Sequence, residues 1–93
     1  MRSEREFPRR RVIWKFEIVP DAPVMMPMDA EIMCFQFQRS MPCIWAIVDP
    51  DIVKVPRRFE IFGTGQEIPG EDKCCYVGTE QVGPLVWHLF ELI

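Results

Sequence analysis

Histidine is nearly absent from this 93-residue sequence, with His88 standing alone, and no two of its four cysteines are spaced C-x-x-C. Structural zinc sites draw their ligands from such pairs and from histidines, so no metal or other cofactor is expected. Long apolar runs are missing too. Charge or proline interrupts every apolar stretch within about ten residues, whereas a membrane-spanning helix needs roughly 20 without a break. The run Val12-Ile13-Trp14-Lys15-Phe16-Glu17 is interrupted by charge and cannot serve as a secretory h-region. A cytoplasmic, reducing compartment is therefore expected, in which Cys34, Cys43, Cys74 and Cys75 stay free thiols and pack as small hydrophobes.

A large net charge is lacking as well, at −3, but the charge is unevenly placed. Residues 1–15 carry six cations and two anions, net +4, which leaves five cations and twelve anions, net −7, for the rest. An acidic body offers no continuous basic face, so nucleic acid is not an expected partner. Arg9, Arg10 and Arg11 form the one run suited to an acidic partner, and residues 1–11 otherwise read as a flexible, solvated basic arm. What is abundant is apolar side chain, 48% of residues, with 12% aromatic. That supplies one core and not two, so residues 12–93 are expected to form a single β-rich domain.

Nine prolines and five glycines leave few gaps long enough for a helix of about 11 residues, and short strands fit those gaps. Val12, Trp14, Phe16 and Ile18 alternate with Ile13, Lys15 and Glu17 as one half-buried strand. Val24-Met25-Met26 adds a short edge strand before Pro27. In residues 31–38, Met33, Phe35 and Phe37 share one face and Ile32, Cys34, Gln36 and Gln38 the other, although a helix over 29–39 capped by Asp29 also satisfies the spacing. Residues 43–48 read as the returning strand of a hairpin. A two-residue turn at Ser40-Met41 would set Phe37 against Ile44, Phe35 against Ala46 and Met33 against Val48, and on the opposite face Gln36 against Trp45, Gln38 against Cys43 and Cys34 against Ile47. That register argues against a disulfide between Cys34 and Cys43.

Residues 57–62 give another half-buried strand, with Phe59 and Ile61 opposed to Arg58, Glu60 and Phe62, and it ends at Gly63-Thr64-Gly65. Residues 73–81 and 84–93 supply the last two strands. The final one, Leu85-Val86-Trp87-His88-Leu89-Phe90, is apolar on both faces and belongs inside a sheet. Six to seven short strands joined by tight turns predict an all-β antiparallel sandwich or small barrel, with α+β carrying one helix as the alternative.

Chemistry is thinly represented. His88 lies in the most apolar strand and reads as a packed residue hydrogen-bonded to a neighbour; pairing about Val82-Gly83 sets it against Val77, with Cys74 and Cys75 too far along for a dyad. Gly63-Thr64-Gly65 lacks the third glycine of G-x-G-x-x-G, where Ile68 stands, and reads as turn chemistry. Asp49-Pro50-Asp51 lacks the spaced oxygens of an EF-hand and reads as a solvated loop, and Glu71 and Asp72 are adjacent and need not converge. Trp14 and Trp87 fit core positions. Trp45 shares a face with Cys34, Gln36, Gln38, Cys43 and Ile47, which in a sandwich packs internally beneath a second sheet, the favoured reading, and in an open sheet is a contact surface for a second copy or a target.

The runs Ile13-Trp14-Lys15-Phe16-Glu17, Pro42-Cys43-Ile44-Trp45-Ala46-Ile47-Val48-Asp49-Pro50, Arg58-Phe59 with Gly63-Thr64-Gly65 and Ile68-Pro69, Tyr76-Val77-Gly78-Thr79 and Val86-Trp87-His88-Leu89-Phe90-Glu91 resemble a family of small uncharacterised proteins encoded by bacteriophages, prophages and mobile elements. The family pattern has Asn-Gly before the Pro-Cys run and a histidine after Gly-Thr-Gly; Arg39-Ser40 and Gln66 stand there in this chain. The resemblance implies a phage-type accessory protein inside a bacterial host. The expected function is non-enzymatic: binding a host protein, as an inhibitor of a defence system in the anti-CRISPR manner, with Gln36, Trp45, Ile47, Arg9, Arg10 and Arg11 as contact residues. A homodimer is a further expected assembly. The alternatives are a small-ligand or nucleotide-sequestering module and, last, a hydrolase using His88.

Overall fold

The computed structural model describes residues 9–70 and 73–93. Seven strands are formed: β1 (Val12–Glu17), β2 (Val24–Pro27), β3 (Glu31–Gln38), β4 (Met41–Val48), β5 (Lys54–Gly63), β6 (Cys74–Val82) and β7 (Leu85–Leu92). They make two antiparallel sheets, ordered β1-β4-β3 and β2-β5-β7-β6, and do not close into a barrel. The all-β class follows from the period-two patterns, and the helix weighed over residues 29–39 is a strand instead. β2 lies at a sheet edge and β7 inside its sheet, as the proline and the two-sided apolar run require.

The core lies between the sheets. Phe35, Ile44, Ala46 and Val48 meet Val24, Met26 and Leu89, joined by Ile18 and Ala30 from the connections. Trp14, Phe16, Phe59, Ile61 and Trp87 pack around them, so both of these tryptophans serve the core. The sheets come closest where β6 lies against β3: a Cβ on Gly78 would sit 3.3 Å from Phe35 Cβ, and the bare Cα lets the two strands touch.

The β3–β4 hairpin turns one residue earlier than the sequence arithmetic sets it. Gln38 pairs with Met41, Gln36 with Cys43, Phe35 with Ile44 and Cys34 with Trp45, leaving Arg39-Ser40 as the turn. Both residues have positive φ, 53° and 68°. A type I′ turn demands this of both central residues because its twist matches that of the flanking strands. The register therefore moves by two, which keeps every side chain on its expected face. A bulge between Ile32 and Cys34 then breaks the alternation, sending Met33 outward and Ile32 to the core. Left-handed backbone costs an L-residue about 1–2 kcal/mol. Ser40→Gly is accordingly expected to stabilise the fold by about 1 kcal/mol, seen as a higher urea midpoint at unchanged m-value.

The last hairpin is corrected in the same way. Gly83-Pro84 forms the turn, one residue later than expected, Gly83 takes φ 59°, and the resulting shift of two places Thr79, not Val77, opposite His88; a bulge between Tyr76 and Gly78 interrupts the ladder only beyond that pair.

Candidate functional site

β4 is the middle strand of the first sheet, so its outward side chains Cys43, Trp45 and Ile47 form the centre line of the face turned away from the core. Register sets Ile13 and Glu31 beside Ile47, Lys15 and Cys34 beside Trp45, and Glu17 and Gln36 beside Cys43. Two polar bridges cross β4 from edge to edge: Arg11 Nη2 lies 3.5 Å from Glu31 at one end, and Lys15 Nζ donates to Gln38 Oε1 at 2.6 Å at the other. On this face Cys43 is buried at 1% exposure and Trp45, Ile47 and Cys34 are half-buried, while Ile13 and Met33 are 58% and 53% exposed. The result is an apolar strip of residues from all three strands, framed by charge and centred on a tryptophan. Gln36, Trp45 and Ile47 are brought together here.

Arg9, Arg10 and Arg11 meet the same face at its Ile47 end, lining a groove of about 440 Å³ with Asp29, Glu31, Ile47, Val48 and Asp49. Arg9 pairs with Asp29 and stands 3.8 Å from Asp49, and Arg10 donates to both carboxylate oxygens of Asp51 at 3.2 and 3.3 Å. Asp49 is only 2% exposed, contrary to the solvated loop read from its sequence. Its Oδ1 accepts the Asp51 N–H at 3.0 Å, as an Asx turn requires, and its Oδ2 accepts the Arg10 N–H at 3.4 Å. The flexible arm expected over residues 1–11 lies outside the described residues up to residue 8; its last three arginines are held by these pairs, each of the exposed ones worth about 0–1 kcal/mol.

The outer face of the second sheet carries a separate polar chain. His88 Nε2 lies 2.9 Å from Thr64 Oγ1, Nδ1 lies 3.0 Å from Thr79 Oγ1, and Thr79 Oγ1 lies 2.7 Å from Tyr76 Oη. Hydroxyls both donate and accept, so either neutral tautomer of the ring is satisfied on both sides. His88 thus has the hydrogen-bonded neighbours read from the sequence, but on a half-exposed outer face and not in the core. Cys74 and Cys75 pair with Leu92 and Glu91, away from His88. Gly63-Thr64-Gly65 is a turn closed by Gln66, whose N–H donates to the Gly63 carbonyl and whose Oε1 accepts the Gly63 N–H. Among the described residues no three His, Cys, Asp or Glu side chains are grouped to hold a metal ion; Glu71 and Asp72 lie outside them.

The sequence profile of a domain of unknown function (DUF7352) matches residues 9–93. The chain belongs to the DUF7352 family. No curated protein and no solved structure matches it. The matched span in this DUF7352 chain takes in both outer faces, from Arg9 at the end of the Trp45 strip to the His88 strand. Of the features now visible in the DUF7352 fold, the polar bridges over β4 and the docking of Arg9 and Arg10 on Asp49 left no local trace in the sequence. Each joins residues that only the strand order brings together.

Proposed function

We propose that this protein is a non-enzymatic binding module that blocks another protein through the outer face centred on Trp45 and Ile47. The observation that carries this reading is the strip itself: a tryptophan and aliphatic side chains in the middle of a sheet face that no other strand covers among the described residues, rimmed by polar groups, is the composition of an interface core. Arg9, Arg10 and Arg11 at its end favour an acidic rim on the partner. The finer reading is a phage-type accessory protein acting in the cytoplasm of a bacterial host on a component of host defence. It rests on the resemblance of the Pro42–Pro50 and Val86–Glu91 runs.

The test is Trp45→Ala in affinity capture from bacterial host lysate, alongside chemical denaturation. Loss of an interface anchor is expected to weaken capture of a specific protein by about 2 kcal/mol or more, while folding stability falls by far less than the 3–5 kcal/mol of a core tryptophan. A partner held equally well by the variant, or a variant that loses core-like stability, would overturn the assignment. Sedimentation at two concentrations separates association with a second copy from capture of a target.

A further inference from the structure

β5 has a neighbour on one side along its first four residues and on the other side along its last six: β2 pairs with Lys54–Arg57, and β7 with Arg58–Gly63. Past Arg57 the strand therefore runs on with no strand on the β2 side among the described residues. Gly63 shows which backbone groups face that side. Its N–H and carbonyl are both engaged by Gln66, so they point away from β7. Backbone direction alternates along a strand, hence Ile61 and Phe59 turn the same way, as do Arg57 and Val55 where β2 lies alongside. Pro56, with no N–H, falls in the alternate set, at a point where β7 has not yet begun to pair. Among the described residues, no hydrogen bond meets the open-side backbone of Phe59 or Ile61.

A cleft of about 340 Å³ lies along this edge, and its lining places it there. Phe59 and Ile61 come from the inner face of β5 and Arg58 and Glu60 from the outer face, and only a space at the strand's edge touches all four. The opposite wall is Ile18, Pro42 and the turn from Pro20 to Ala22, and Leu92, the β7 partner of Arg58, reaches the cleft at its Arg58 end.

We infer that this edge is a strand-addition site for an extended peptide of a partner protein. Unpaired N–H and C=O groups repeating along a strand are satisfied by another polypeptide backbone and by no other common ligand in register. A peptide running antiparallel to β5, in line with β2, turns apolar side chains inward opposite Phe59 and Ile61. It turns outward a basic side chain opposite Glu60 and an acidic one opposite Arg58. The site is separate from the Trp45 face and stands or falls independently of it. Charges on an edge also guard against aggregation, but a merely guarded edge has no preference for the order of charges along a peptide.

Amide exchange and a peptide titration of the full chain test this. In the free protein the amides of Phe59 and Ile61 exchange fast while those of Glu60 and Phe62, turned toward β7, are protected; slow exchange at Phe59 and Ile61 would show the edge already covered and end the proposal. Acetyl-Thr-Val-Lys-Val-Glu-amide is expected to shift the Phe59 and Ile61 resonances and slow their exchange roughly tenfold or more, leaving Trp45 unmoved. The charge-exchanged peptide Thr-Val-Glu-Val-Lys binds roughly fivefold more weakly, and the Arg58→Glu/Glu60→Arg protein reverses that preference. The peptide N-methylated at both valines does not bind. Equal binding of the N-methylated peptide, or no change at Phe59 and Ile61 with any of the peptides, overturns the assignment.

Discussion

A chain cut after Leu85, lacking residues 86–93, is expected to show no cooperative unfolding transition at all. β7 is the strand that joins β5 to β6, and its loss strips the ladder from both. Leu89 is fully buried at the centre of the core, Trp87 packs beside it, and on the other face Phe90 stacks edge-on against Phe62 and Tyr76 at 5.6 Å in each case. At about 1.5–3 kcal/mol for each large apolar side chain returned to water, the loss is of the order of the entire stability of a small domain, roughly 5–15 kcal/mol. β6 would then keep its packing on the first sheet, where Gly78 meets Phe35 and Val77 joins the core. Far-UV circular dichroism and calorimetry read the outcome, and a truncated chain with a sharp calorimetric transition would show that β7 is not integral.

The period-two patterns made most of this fold legible in the sequence, because a half-buried strand writes its two faces directly into alternating residues. Val12–Glu17 and the Phe59/Ile61 against Arg58/Glu60 alternation are the plainest cases. The face carrying Trp45 was legible for a more particular reason. The hairpin turn fell one residue from its expected place, which moves the register by two, and a shift of two preserves sidedness where a shift of one would have sent Trp45 into the core. The turn itself was hidden because Arg39-Ser40 adopts a geometry usually marked by Asn-Gly. The bulge at Met33 had no signal either, since Ile32 and Met33 are equally apolar. What could not be read locally is everything set by strand order: the arginines docked on Asp29, Asp49 and Asp51, the His88 hydroxyl chain, and the edge of β5 past Arg57, which β2 is too short to cover.

Arg57→Met is expected to cost about 3 kcal/mol of folding stability, more than any ordinary salt bridge on the surface. Alternation places Arg57 on the same face of β5 as Phe59 and Ile61, the face that packs on the core. There its Nε and Nη2 donate to the two oxygens of Glu91 on β7 at 2.7 and 2.8 Å, and Nη1 donates to the Ala30 carbonyl at 2.8 Å. One guanidinium thus ties β5 to β7 and to the β2–β3 connection, and the two side chains are only 19% and 23% exposed. The guanidinium's hydrogen bonds to the Glu91 carboxylate, partly opposed by burial, raise the Arg57 pKa above its ordinary value. A group raised in the folded state contributes stability that is complete below its unfolded pKa and fades only as pH climbs through the folded one. Arg57 therefore adds no pH dependence near neutrality, and the gap between wild type and Arg57→Met should stay flat from about pH 6 to 9. Most of the loss arises from leaving the Glu91 carboxylate half-buried without its partner, so the double variant Arg57→Met/Glu91→Leu is expected to recover the greater part of it. Urea denaturation of the two single variants and the double closes the cycle. A loss below about 1 kcal/mol for Arg57→Met, or no recovery in the double variant, would show that the pair contributes no more than an exposed one.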